Sequence, residues 1–253
     1  MHPAYISIPA QRDIPLLIFG DHASHRIPDE YDNLGLSGDD LTRHIAWDIG
    51  TDVVVKTLCK EFGCAGQLAN ISRLLIDINR DHRYPCLIPV ESDGTLIPGN
   101  RALDQSQKDD RIAKYHTPYH EALDTELDKM GRGLAISVHS FTPKMDMGDN
   151  RELEFGLLVK HDELSADMFM EALAEMEPGW RVMVNEPYSA HVLNYTVDTS
   201  IASRELPHLA IEINQAMIDT DDKAKKIAQR MAKALTPVVN YYAAEHKEQA
   251  YAS

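Results

Sequence analysis

Short apolar runs of strand length, each broken off by a polar cluster, constrain this chain more than any other feature. Residues 14–20 end in Leu16-Leu17-Ile18-Phe19-Gly20 and give way at once to Asp21-His22-Ala23-Ser24-His25-Arg26-Ile27-Pro28. Residues 134–138 stop at His139, 155–159 form a third run, and 206–213 carry Glu212 and stop at Asn214-Gln215. Continuous apolar runs denote strands covered on both faces. Alternating with helical segments, they predict a largely parallel sheet between two helical layers. In such a sheet ligands bind beyond the carboxyl ends of the strands. Asp21, His22, His25, His139 and Glu212 are all expected near that edge.

The remaining elements follow from periodicity and breakers. Ser37-Gly38-Asp39-Asp40 supplies a cap and first-turn acids for a helix carrying Leu41, Ile45 and Ile49 on one stripe, so that His44 and Asp48, four apart, share a face. A helix is expected over 52–62, a turn over 63–66 and a short strand over 67–70. Residues 72–78 read as another apolar strand, flanked by Arg73 and Arg80. The Pro- and Gly-rich stretch 84–100 is a long loop, of the kind that is more often functional than idle. Helices are expected over 107–130, 163–176 and 222–248, and a short strand over 180–184. With no repeat, low-complexity tract or linker, the expectation is one domain over 1–253.

Composition narrows the function. The formal net charge of −15 is at odds with the basic stripe that nucleic-acid binding requires. It does not exclude a small anionic substrate, because a local arginine pair dominates at contact distance. No apolar stretch reaches the roughly 18 residues a membrane span needs. The N-terminal residues lack the charged and apolar regions of a signal peptide. Three cysteines, Cys59, Cys64 and Cys86, have no zinc-finger spacing. The expectation is a cytoplasmic protein with reduced thiols.

Each candidate residue has a plain reading beside the chemical one. His22 or His139 alone could be a turn or strand-end histidine bonded to a carbonyl. Together, at two strand ends, they are compatible with one metal ion that also needs an acidic or third nitrogen ligand. Glu212 stands among apolar residues, where an ionised carboxylate is unfavourable without a partner. It is either half of a salt bridge with an arginine or a base beside a bound cation. Arg73, Asn79 and Arg80 offer donors for a substrate carboxylate or an oxyanion. Asp77 and Asp81 could instead hold these arginines in internal ion pairs, the reading preferred for Arg83.

Taken together, Gly20-Asp21-His22-Ala23-Ser24-His25-Arg26-Ile27-Pro28, His44 to Gly50, Ser72 to Arg80, Ser137-Val138-His139-Ser140-Phe141-Thr142 and Ile211-Glu212-Ile213 resemble the N-formylglutamate amidohydrolase family. Asn185-Glu186-Pro187-Tyr188-Ser189 fits it too. The resemblance runs over about residues 15–220. It implies a phosphorylase/hydrolase-like α/β fold of the zinc carboxypeptidase kind, one zinc ion (Zn2+) per chain, and hydrolysis of the amide of an N-acyl acidic amino acid. Carried onto this chain, it places His22 and His139 as metal ligands, Glu212 and Arg73 as catalytic groups, and Asn79 and Arg80 as substrate anchors.

Two positions depart from the pattern. His25 stands where the wider relatives have the Glu of a His-x-x-Glu motif, so Asp48 is expected as third ligand, with His25 its competitor. Asn214 follows Glu212 where many relatives have Arg, which bears on substrate choice. Two other functions fit the same residues: a carboxypeptidase-like or deacylase activity on another N-acyl amino acid or small peptide, and a non-catalytic small-molecule-binding relative.

Overall fold

The computed structural model describes residues 3–145 and 150–252. Met1, His2 and Ser253, at the ends of the expected 1–253 unit, lie outside them. Among the described residues seven strands form one sheet in the order β1-β3-β2-β6-β9-β7-β8. They are β1 (Tyr5–Ile8), β2 (Leu16–Gly20), β3 (Ala65–Ala69), β6 (Leu134–Phe141), β7 (Phe155–Leu157), β8 (Val182–Val184) and β9 (His208–Asn214). A separate hairpin joins β4 (Glu91–Ser92) to β5 (Thr95–Leu96) inside the expected 84–100 loop.

The four central strands β3, β2, β6 and β9 are parallel, whereas β1 and β7 pair antiparallel to their neighbours. The sheet is therefore mixed but mostly parallel, as the apolar runs predict. Its centre is fully buried: β6 has no residue outside the core. On one face lie α1 (Thr51–Phe62), α4 (Glu163–Met176) and α5 (Asp221–Ala252), through Val54, Leu58, Phe169, Met231 and Leu235. The other face is covered by α2 (Gln105–Arg111), α3 (Thr117–Met130), the short helical turns 197–204 and irregular backbone, through Tyr119, Leu123, Ile201 and Leu75. A π-turn, Ile112–His116, joins α2 to α3 within what the sequence reads as one helix. Among the described residues no helix is long and apolar enough to cross a membrane.

Two expected elements are absent, for one physical reason. No α-helix runs from Ser37 to Ile49; only the 3-10 turn Asp40–Thr42 forms there. Its backbone is bound elsewhere: the Ala46 carbonyl accepts from Arg73 N–H and the Ser72 hydroxyl, and Asp48 N–H donates to the His22 carbonyl. His44 and Asp48 consequently share no helix face, and His44 bonds to Asp93 instead. Residues 72–78 likewise form no strand. Leu74, Leu75, Ile76 and Ile78 are buried, but their segment has no ladder. Asp77 N–H donates to the Leu87 carbonyl, while Asn100 and Arg111 side chains bond the carbonyls of Leu74 and Leu75. Buried backbone must find partners, and here loops and side chains provide them.

Candidate metal centre

His139 and Glu212 are fixed by the sheet. They face each other in register across the β6–β9 pair, on the carboxyl side of the parallel strands. His22 lies two residues past the end of β2, the strand on the other side of β6. Asp48 comes from irregular backbone just ahead of α1 and is anchored at several points. Its N–H bonds the His22 carbonyl at 2.9 Å, and the Thr51 hydroxyl donates to its carbonyl at 2.7 Å. Gly50 closes this turn at φ 83°. A Cβ there would collide with the Ile218 carbonyl oxygen, so glycine is required for both reasons.

These constraints bring His22, Asp48 and His139 together in the interior, with one ligand atom of each within 4.8 Å of the others. Each histidine has an aspartate behind it. His22 Nε2 lies 2.7 Å from Asp77 Oδ1, which accepts its proton and leaves Nδ1, buried and unpartnered, as a lone pair facing Asp48 Oδ2 at 3.4 Å. His139 Nε2 faces Asp21 Oδ2 at 3.8 Å, and Asp21 is held from its other oxygen by the Tyr119 hydroxyl at 2.7 Å. Ligating imidazoles are characteristically oriented in this way by an outer carboxylate.

The electrostatics fit a cation. Asp21, Asp48, Asp77 and Glu212 are all buried. Arg73 spans Asp48 and Asp77, at 3.3 and 2.8 Å. His139 Nδ1 lies 2.8 Å from Asp48 Oδ2. Burial works against the imidazolium, but the hydrogen bond to Asp48 and its charge outweigh that and raise the His139 pKa to about 9. Burial likewise favours the acid form of Asp48, yet His22 and His139 hold its carboxyl below the usual range. The three side chains therefore suit a divalent ion of the nitrogen- and oxygen-binding type.

Glu212 lies beside the cluster, and its Oε2 has no partner among the described residues. Burial first, opposed by His139 and reinforced by Asp48, raises its pKa to about 7. Among the described residues it is in no salt bridge with an arginine, the pairing its sequence left open.

His22, Asp48, Arg73, Asp77, His139 and Glu212 line a cavity of about 280 Å³ that also includes Asn79, Arg80, Tyr188 and Leu193. Asn79 Oδ1 accepts the Thr196 N–H at 2.9 Å, so the amide Nδ2 is left for a ligand. One guanidinium nitrogen of Arg80 bonds the Asn79 carbonyl. Arg73 lines the cavity and makes the internal ion pairs that were its alternative reading. Arg83 is bound to Asp81 at the surface.

His25 is outside the cluster. It is exposed and stacks on Trp47, ring centroids 4.9 Å apart. Tyr188 and Arg151 carry no local sequence signal for a role at the site: the guanidinium lies 4.8 Å over the tyrosine ring and donates to its hydroxyl. From the sequence Asp77 reads as an arginine partner only. The one available signal was the dense spacing of Arg73, Asp77 and Asn79 in an otherwise apolar segment.

A buried cation site at the ends of parallel strands, with an unpaired carboxylate alongside and an arginine-lined cavity in front, defines a metal-dependent hydrolase. The chain belongs to the N-formylglutamate amidohydrolase family, whose model matches residues 14–218. It is similar to the crystal structure of a gene product from Agrobacterium tumefaciens, at 31% identity over 94% of this chain and 96% of that one, with a TM-score of 0.86. The N-formylglutamate amidohydrolase of Ralstonia eutropha JMP134 shares the fold, at 17% identity over 95% and 98% of the two chains and a TM-score of 0.74. No curated protein matches the chain.

Proposed function

We propose that this protein hydrolyses the amide bond of an N-acyl acidic amino acid, with N-formylglutamate the first candidate, to a carboxylic acid and the free amino acid. Its cofactor is one zinc ion per chain, held by His22, Asp48 and His139. The observation that carries the reading is the buried His22–Asp48–His139 cluster with Glu212 unpaired beside it. When bound, zinc supplies Lewis acidity toward water and the acyl carbonyl.

The chain's own residues do the rest. Glu212 Oε2, without a partner and raised toward neutral pH, accepts a proton from the attacking water and returns it to the leaving amine. Arg73 stabilises the negative charge that develops on the carbonyl oxygen. Asn79, through Nδ2, and Arg80, through its free guanidinium edge, grip the substrate carboxylate. Asp77 keeps His22 in the ligating orientation through its 2.7 Å hydrogen bond, and Asp21 places a negative charge 3.8 Å behind His139. The cavity, about 280 Å³, suits a small anionic substrate. The charge of −15 supports a protein with no nucleic-acid partner, and three free cysteines support a cytoplasmic setting. The one seven-stranded sheet, with α5 packed back onto α1, supports one domain over 1–253.

The test is metal analysis joined to a hydrolysis panel of N-formyl, N-acetyl and N-succinyl amino acids and short peptides. About one zinc per chain and fastest release of formate from N-formylglutamate is the expected result. Fastest cleavage of another acyl group or of a peptide would move the assignment to a deacylase or carboxypeptidase-like enzyme. Ligand binding without turnover on any member would leave a binding protein.

A further inference from the structure

Arg80 and Asn79 do not stand on a strand or helix. Their backbone belongs to the irregular 72–80 segment, so something other than a ladder must hold it. Three histidines that take no part in the metal cluster meet this segment from behind. His116, in the π-turn, lies with Nε2 2.9 Å from the Arg80 carbonyl, and His120, one turn on in α3, with Nε2 3.0 Å from the Ile78 carbonyl. His82 Nε2 lies 2.9 Å from His116 Nδ1. The three rings and Tyr195 pack together, His116 on His82 at 4.3 Å and on His120 at 4.5 Å between centroids.

The chemistry sets every proton. A carbonyl only accepts, so His116 Nε2 carries the hydrogen that bonds Arg80. His116 Nδ1 is then an acceptor and takes the Nε2 hydrogen of His82, which is exposed. His120 Nε2 likewise donates to Ile78. Burial, with His120 and His82 nearby, lowers the His116 pKa to about 3, so its ring stays neutral and keeps this pattern. The π-turn matters because it alters the helical register just where His116 is presented. From the opposite side, Thr196 N–H holds the Asn79 amide.

We infer that His116, seconded by His82 and His120, is a positioning residue for the substrate-carboxylate grip: it fixes the backbone from which Asn79 and Arg80 reach into the cavity. The inference rests on the proposed role of Asn79 and Arg80. His116 touches neither metal nor substrate, and its loss acts through Arg80 and Asn79.

The test compares His116→Ala with His116→Gln, whose amide nitrogen can reach the same carbonyl. With the best substrate of the panel, His116→Ala should raise KM about 5- to 10-fold, the value of one or two hydrogen bonds. The turnover number should stay within about 3-fold and zinc content should be unchanged. His116→Gln should recover most of the KM. In an Arg80→Ala background the His116→Ala effect on KM should shrink to the part carried by Asn79. Hydrogen exchange of the full-length protein supplies a readout that needs no substrate: amides of residues 78–82 should exchange faster in His116→Ala and at the parental rate in His116→Gln. An effect on kcat alone, loss of zinc, additivity with Arg80→Ala, or unchanged exchange would each overturn the inference. A parent that cleaves nothing while the exchange result holds would instead refute the proposed function and leave the backbone brace standing.

Discussion

The two halves of the site are built differently. His139 and Glu212 stand in the β6–β9 ladder, which fixes each against its neighbour strand, and His22 follows two residues after the end of β2. Asp48, Arg73, Asn79 and Arg80 come from backbone with no repeating structure. They are held one bond at a time by groups scattered from His22 to Thr196. The strand half can lose a side chain without losing its frame. In the coil half each side chain is also part of the frame: Arg73 ties Asp48 to Asp77, and Asp77 holds both His22 and the Asn79 N–H. Substitutions on the strand side should therefore give clean chemical defects, and those on the coil side mixed ones.

The largest effect is expected from the strand side. Replacing His22 or His139 with Ala should bring zinc well below one per chain and turnover to background, and the metal-free protein should lose the stability of one buried bond, to Asp77 or to Asp48. Full metal occupancy in both variants would remove the cluster as the metal site. Glu212→Gln should keep the zinc and lower turnover by roughly 10²–10⁴-fold, with a smaller change in KM. Parental activity would make Glu212 structural.

On the coil side, Asp48→Ala should weaken zinc binding more than His25→Ala and should also lower stability, because Arg73 and His139 lose a buried partner. Gly50→Ala should mimic this without touching a ligand. A Cβ at φ 83° against the Ile218 carbonyl should destabilise by about 1–3 kcal/mol and loosen zinc by displacing Asp48. Parental zinc affinity in this variant would show that Asp48 is not held through its turn. Arg80→Ala should raise KM with zinc unchanged.

A smaller effect concerns protons. The His139 pKa is raised above its ordinary value to about 9 in the metal-free protein. The stability this contributes is fully present below about pH 6.5 and is lost as pH rises through about 9. Metal must displace that proton, so zinc affinity should rise by about tenfold per pH unit from neutrality toward pH 9. A flat profile would place the proton elsewhere.

The same division decides what could be read from the sequence. Apolar runs ending at Gly20, His139 and Asn214 are local signals, and they locate the sheet and the histidines that border the cavity. Period alone misreads residues 37–49 and 72–78, whose hydrophobic spacing is genuine but whose backbone partners are distant. Leu74 and Leu75 are buried as a strand would bury them, while Asn100 and Arg111 take the hydrogen bonds a neighbouring strand would have taken. Asp48 is expected from the missing Glu at position 25 and from a helix following the His22 loop; it does join the cluster, but on irregular backbone. β1 escaped notice because a four-residue edge strand with Ile6 exposed carries almost no apolar signal. The paired roles of Asp21 and Asp77 behind the two histidines depend on separations of 118 and 55 residues in sequence that no local pattern records.

The central claim is that one metal ion joins the two halves of the site. The most direct measurement is an anomalous difference map from crystals of the zinc-loaded protein, collected on either side of the zinc absorption edge. The account predicts a single strong peak about 2.0–2.2 Å from a nitrogen of His22, a nitrogen of His139 and an oxygen of Asp48, with Glu212 outside bonding distance. A peak coordinated by His25, a peak ligated by Glu212 in place of Asp48, or no peak among these residues would contradict it.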